Sequence, residues 1–299
     1  MRVAVSGANG RLGRALVAAL GDAPFTGPFG PIAWSRADLD LDAPDPVSLL
    51  RRDRPEVVVH TAAWTDVDGC AREPDVALRR NGLATGALAE ACVDAGVDLL
   101  VVSTNEVFDG RRTDGRGYTP DDPTRPVNAY GASKLKGEEL ARAAYARAAG
   151  PQLGVVRTAW LYGPPGNDYP SKILAAAEQA SVSGEPLRVV ADETGSPTFT
   201  SDLAEGIGEL LGSGDVRGTH HLVNGGQASR ADWAREVLRQ CAVSVEVLDV
   251  PASTWLRAST PPAWAVLEAT ALPGGEPLRA WRSALAHYVP ALLRQRVPG

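Results

Sequence analysis

An apolar strand that breaks at a glycine and is taken up at once by a helix leaves a chain few folds to choose from. Arg2 to Ser6 reads as a short buried strand. Gly7-Ala8-Asn9-Gly10-Arg11-Leu12-Gly13 follows, and Leu12, Ala15, Leu16, Ala19 and Leu20 then lie on one helical stripe. Strand, glycine turn and helix in that order are the context a dinucleotide site requires. The glycines stand at 7, 10 and 13 rather than in the G-x-G-x-x-G spacing. The physics is unchanged: missing Cβ atoms let backbone N–H groups and the helix N-terminus approach a pyrophosphate. Gly7, Asn9, Gly10, Arg11 and Leu12 are therefore expected at a cofactor.

The pattern continues. A second strand, Ile32 to Ser35, ends in Ser35-Arg36, and an arginine there suits the 2′-phosphate of NADPH. Asp38 and Asp40 follow closely enough to keep NADH open. The third strand, Pro55 to His60, is apolar, as parallel strands covered on both faces are, and His60 reads as a satisfied buried histidine. It runs into Thr61-Ala62-Ala63-Trp64, small residues that leave room for a cofactor. A helix is predicted over 75–95 and a fourth strand over 98–102, which delivers Ser103-Thr104-Asn105-Glu106. A long polar loop, 109–127, leads to a helix over 130–147 and a fifth strand over 153–156. Alternating strands and helices to about residue 160 predict an α/β fold with a doubly wound parallel sheet of Rossmann type.

Beyond residue 160 the alternation loosens. Helices are expected over 168–181, 201–211 and 230–240, and strands over 187–190, 219–223 and 245–250. Residues 161–299 are read mainly as a smaller α/β substrate lobe, with segments near 186–200 and 219–245 returning to the core formed by 1–160. Leu278, Trp281, Leu285, Tyr288 and Leu292 make a last helical stripe that Pro290 should end or bend.

The residues most suited to chemistry are Tyr130 and Lys134, four apart at the start of the 130–147 helix and so on one face. A cation about 4 Å from a phenol, at an effective dielectric of about 20, is worth ~4 kcal/mol, or up to about 3 pKa units. A tyrosine lowered in this way could hand a proton to a carbonyl oxygen, and a hydroxyl from Thr104 is well placed for the same oxygen.

Composition narrows the field further. Apolar content of 44% with 22% charged residues is that of an ordinary soluble globular protein, and a net charge of −6 argues against a nucleic-acid partner. Cys70, Cys92 and Cys241 are odd in number and far apart, which supports neither a disulfide framework nor a zinc site. No metal site is visible from spacing, and His220-His221 reads as structural. There is no basic and apolar leader, and no apolar run approaches the 18 residues of a membrane span. A reduced cytoplasm is the expected setting.

These residues together resemble the extended short-chain dehydrogenase/reductase superfamily and, within it, the dTDP-4-dehydrorhamnose reductase family. The resemblance is carried by Gly7 to Gly13, Thr61-Ala62-Ala63-Trp64-Thr65-Asp66-Val67-Asp68, Ser103-Thr104 with Val107-Phe108-Asp109-Gly110, Pro126 to Lys134, Arg157-Thr158-Ala159-Trp160-Leu161-Tyr162-Gly163, and Gly195-Ser196-Pro197-Thr198. It implies that Tyr130 protonates the C4 ketone oxygen of a nucleotide-linked 4-keto-6-deoxyhexose. Lys134 would hold the nicotinamide ribose and depress the phenol's pKa, and Thr104 would bind the same oxygen. Ala62, Ala63, Trp64, Asn81 and Ser103 would line the cofactor cleft, with Asp40 and Leu41 near the adenine. Asn105, Glu106, Trp160 and Asp168 would face the sugar. The superfamily's habit implies a homodimer. Three departures point to a sugar other than dehydrorhamnose: Asn105-Glu106 where the family has Asp-Tyr, Pro261 to Leu267 lacking an arginine and a serine, and Asp168-Tyr169 for Asn-Phe. A dehydratase or epimerase of the same superfamily, or a non-catalytic nucleotide-binding subunit, are the competing functions.

Overall fold

A computed structural model describes residues 1–28 and 30–294. The first half builds β1 (Val3–Ser6), α1 (Arg11–Gly21), β2 (Ile32–Trp34), α2 (Pro46–Asp53), β3 (Val57–His60), α3 (Val67–Arg72) and α4 (Pro74–Ala77), and then a π-helical turn (Leu78–Leu83). It continues through α5 (Ala84–Ala95), β4 (Asp98–Thr104), α6 (Ala129–Tyr145) and β5 (Leu153–Thr158). The second half adds β6 (Leu161–Tyr162), α7 (Tyr169–Ser183), β7 (Leu187–Val190), β8 (Thr194–Gly195), β9 (Thr198–Phe199), α8 (Thr200–Gly212) and β10 (Gly218–His221). It ends with β11 (Ala228–Ser229), α9 (Arg230–Gln240), β12 (Val247–Val250), β13 (Trp264–Ala265) and α10 (Trp281–Arg294).

Six strands form one parallel sheet in the order β10-β5-β4-β3-β1-β2. Successive side chains of a strand face opposite sides, so the central strands β1, β3 and β4 bury apolar residues on both faces. Val3, Val5, Val57, Val59 and Leu100 pack with Leu12, Leu16 and Leu20 of α1 and Leu203, Ile207 and Leu210 of α8. Ala4, Val58, Leu99 and Val101 pack on the other face, with Leu49 and Leu50 of α2, Leu88 and Cys92 of α5 and Ala141 of α6. The chain passes from β1 to β2 on one side and then crosses to β3 on the other. That reversal opens a crevice at the carboxyl ends of β1 and β3, where α/β sheets bind ligands.

A second cluster joins α7, α9 and α10 around Trp233, Trp281, Leu285 and Tyr288. Residues 187–190 belong here and do not return to the large sheet: β7 pairs with β12 and buries Leu187 and Val189 in this cluster. The neighbour that β5 gains is β10. Pro290 does not end α10, which runs on to Arg294. Its ring sits on the exposed face, while Trp281, Leu285, Tyr288 and Leu292 are buried, and that burial outweighs the missing N–H. The helix expected over 75–95 is broken by the π turn. No helix among the described residues is long and apolar enough to cross a membrane.

Candidate active site

The glycine turn is built for close approach. Gly7 has φ 68°, and a Cβ there would lie 2.8 Å from the backbone nitrogen of Ala62. A Cβ on Gly13 would lie 2.1 Å from the Gly7 carbonyl oxygen. Gly10 is the extended residue that opens α1. The turn therefore stays narrow, leaving N–H groups at the head of α1 facing a cleft of about 670 Å³. Gly7, Asn9, Gly10, Arg11 and Leu12 line it; so do Ser35, Arg36, Asp40 and Leu41 at one end, and Ala62, Ala63 and Trp64 along the floor. A cradle that a single Cβ would fill fits a dinucleotide pyrophosphate.

Under this floor Ser6 Oγ and Nδ1 of His60 are 2.7 Å apart, and Nε2 of His60 lies 3.2 Å from Thr85. His60 is a buried structural histidine, pushed down to about 3 by burial and by the charge of Lys134. Asn81, expected at the cofactor, does not line the cleft. It is fully buried; its amide oxygen accepts from Trp64 N at 2.7 Å, while Nδ2 donates to the Trp64 carbonyl and to Ser133. Its work is to fix the loop that carries Trp64. Next to it, Arg80 lines the cleft, a residue the sequence reading missed although Asn81 marked the turn that presents it.

At the other end the N-cap Asn128 starts α6, its Oδ1 accepting from Gly131 N at 2.8 Å. Gly131 is required because a Cβ would lie 2.0 Å from the Glu106 carbonyl oxygen. Tyr130 and Lys134 follow one turn apart and line the same cleft as Ser103 and Thr104. Lys134 is 4% exposed, and its ammonium has no hydrogen bond or ion pair among the described residues. Burial pushes it down to about 8, against the opposing charge of Glu138.

The lowered phenol pKa is not found. Burial and the neighbouring Glu106 carboxylate push Tyr130 well above its ordinary value, against a hydrogen bond with Thr104. Helical spacing supplied the cation but could not supply the desolvation or the anion. Glu138, fully buried one turn beyond Lys134, accepts from Ser103 Oγ, from Nε and Nη2 of Arg157 at 3.1 and 2.8 Å, and from Arg142 at 3.0 Å. Burial alone would raise its pKa; Arg157 and Ser103, with the charge of Arg142, outweigh it and hold the carboxyl below its usual range.

The sugar-facing residues divide. Asn105 and Glu106 line the cleft. Asn105 is buried, with its Nδ2 on the Ala265 carbonyl at 3.0 Å. Glu106 accepts from Asn128 Nδ2 at 2.6 Å, and burial raises its pKa. Trp160 lines the cleft at φ 43°, stacked on Trp233, with the guanidinium of Arg230 3.6 Å from its ring centroid. Arg230 was not foreseen, since nothing local ties it to Trp160. Asp168 does not line the cleft. It is the N-cap of α7, accepting from Ser171 N and Gly163 N, both at 2.9 Å, with Arg11 at 3.6 Å. Tyr169 stacks on Trp233 and donates to the Arg230 carbonyl at 2.6 Å. This pair therefore holds the start of α7 in the smaller lobe.

The arrangement as a whole joins a dinucleotide cradle to a phenol, a cation and a hydroxyl. A family model described as the RmlD substrate binding domain matches residues 1–294. The chain belongs to the RmlD family. Among curated relatives of this RmlD-family chain, dTDP-4-dehydrorhamnose reductase of Mycobacterium tuberculosis is 37% identical over 292 residues, covering 95% of this chain and 91% of that one. The dTDP-4-keto-6-deoxy-D-glucose reductase of Streptomyces niveus is 35% identical, covering 96% of each. Among solved structures, the dTDP-4-dehydrorhamnose reductase of Bacillus anthracis in complex with NADP has a TM-score of 0.86 at 29% identity, covering 97% of this chain and 99% of that one.

Proposed function

We propose that the chain reduces the C4 ketone of a dTDP-linked 4-keto-6-deoxyhexose with NADPH, NADH being the weaker alternative. The observation that carries this reading is one cleft lined at one end by the glycine turn and at the other by Tyr130, Lys134 and Thr104. The bound reduced nicotinamide supplies hydride to the carbonyl carbon. Tyr130 and Thr104 bind the ketone oxygen, and the Tyr130 hydroxyl gives it a proton as the carbon is reduced. The phenol carries its proton at neutral pH, and that proton passes as the alkoxide, a stronger base, develops at the reduced carbon. Lys134 lends its charge to the phenolate left behind and offers N–H donors to the ribose. Glu106 and Asn105 read the sugar, with the Arg230–Trp160 pair beside them, and the carboxylate at 106 favours a ketosugar other than dehydrorhamnose. The protein works as a cytoplasmic homodimer, a reading supported by the superfamily resemblance and tested by light scattering.

The test is turnover with a panel of dTDP-4-ketosugars. Added NADPH is consumed one for one with ketone lost, and a sugar other than dehydrorhamnose is preferred. Turnover that needs no added dinucleotide would replace the reductase by a cofactor-recycling dehydratase or epimerase.

A further inference from the structure

A carboxylate stands beside the groups that hold the ketone, and binding the sugar leaves half of it unused. Glu106 follows Thr104 by two residues, in a 3₁₀ turn (Asn105–Val107), and its backbone N–H donates to Thr104 Oγ1 at 3.2 Å. Glu106 lines the cleft with Thr104 and Tyr130, near enough for its charge to act on the phenol. One carboxylate oxygen is fixed. Asn128 Nδ2 donates to Oε2 at 2.6 Å and to the Thr260 carbonyl at 3.2 Å, while Asn128 Oδ1 accepts from Gly131 N. The other oxygen, Oε1, has no hydrogen bond or ion pair among the described residues. Arg230 and Arg257 act on Glu106 through their charge, but both are paired with Glu193, at 3.5 and 3.7 Å. Oε1 therefore keeps its lone pairs free in a cleft that holds a ketone.

A ketone makes the C–H bonds on its neighbouring carbons acidic. Hydroxyl donors on its oxygen stabilise an enolate as they do an alkoxide, and a carboxylate base opposite a tyrosine donor suits proton abstraction next to a carbonyl. We infer that Glu106 is a general base in this cleft, and that the protein exchanges a hydrogen on a carbon flanking the C4 ketone with solvent, a second activity beside reduction. The inference rests on the reductase reading and adds to the same site. Oε1 takes the proton; the C–H electron pair forms the C=C bond to C4, and the C=O π pair moves onto the oxygen held by Tyr130 and Thr104. On return the enolate re-forms the ketone and the carbon recovers a proton from Glu106. Glu106 is only partly covered, so its carboxyl trades that proton with water in between. Burial makes the carboxylate a stronger base by raising its pKa. One carboxylate works on one face of the enolate, so configuration is retained. No redox equivalent is consumed, and the dinucleotide is unchanged.

Deuterium wash-in to the sugar tests this with the full chain. The protein is placed in D₂O with NADP⁺, which supplies no hydride, and with a dTDP-4-keto-6-deoxyhexose that it reduces when NADPH is given. NMR and mass spectrometry of the recovered ketosugar read deuterium at the carbons flanking C4. Deuterium enters at one of them with configuration retained, at least about tenfold faster than in the sugar without protein. Glu106→Gln lowers the ratio of exchange to reduction by about tenfold or more, since a general base contributes about 10²- to 10⁴-fold; a residue that only bound the sugar or held the turn would lower both together. Titration with NADP⁺ checks that the variant is folded. Wash-in no faster than without protein, by unaltered protein that reduces the same sugar, overturns the inference while the reductase reading stands, and so does an unchanged ratio in Glu106→Gln. Unaltered protein that neither reduces nor exchanges overturns both.

Discussion

Glu138→Gln separates a structural role of the buried carboxylate from an electrostatic one. Lys134 and Glu138 are one helical turn apart, roughly 6 Å. At an effective dielectric of about 20 the carboxylate is worth roughly 3 kcal/mol to the ammonium, or about 2 pKa units. Arg157 and Arg142 neutralise part of that field, so the expected drop is between about 1 and 2 units. Lys134, held at about 8 in the folded protein, then loses its proton nearer pH 6 to 7 by the same arithmetic. The profile of kcat/KM against pH reports groups of the free enzyme. Its alkaline limb is expected at about pH 8 in the unaltered protein and in the neutral range in Glu138→Gln. Stability falls as well, by about 3–5 kcal/mol, because Arg157 keeps a buried charge without its partner. Glu138→Gln combined with Arg157→Gln removes both charges, restoring part of the stability and returning the limb towards pH 8. If the single variant lost stability with its alkaline limb unmoved, the carboxylate would be a structural clamp only and the electrostatic reasoning would fail.

Tyr130→Phe should cut kcat by about 10²- to 10⁴-fold, the usual contribution of a general acid, with NADP⁺ affinity within about twofold by direct titration; comparable turnover would remove Tyr130 from the chemistry. Asp168→Ala should lower stability by about 1–2 kcal/mol through loss of the α7 cap, measured by urea unfolding, while KM for the ketosugar stays within about twofold because Asp168 does not line the cleft. Acid should destabilise the fold through two buried histidines. His60 is held near 3 by burial and Lys134, and His221 near 4 by burial and Arg157. Both stay neutral in the folded chain while the unfolded chain binds protons below its ordinary value of about 6.5, so stability drops as pH falls from about 6.5 towards 4. Between pH 7 and 5 each costs about 2 kcal/mol. His221→Gln should show roughly half that pH-dependent loss in urea midpoints; an unchanged slope would mean that His221 gains its proton before unfolding.

What could be read in the sequence is what short spacing dictates. The glycine turn, the apolar strands and the Tyr130–Lys134 pair each depend on residues within one turn or one strand, and the cleft brings them together. The capping role of Asp168 was missed although its signal was local: Asp168-Tyr169-Pro170-Ser171 is an N-cap pattern with proline in the first turn. The resemblance placed it at the sugar, where the capping bonds to Gly163 and Ser171 leave it turned inward. Residues 187–190 were misplaced for the opposite reason, because a four-residue apolar strand carries no information about which edge it pairs with. The hidden part of the site is the part made by long-range charge. Arg230 reaches Trp160 from α9, and Arg80 reaches Asp42 across 38 residues. The sign of the Tyr130 shift is decided by burial and by Glu106 on a different element. Helical periodicity can say that a lysine shares a face with a tyrosine, but the dielectric around them is a property of everything else that folds over that face. The same closure that strips water from Tyr130 raises its pKa and keeps its proton in place at neutral pH.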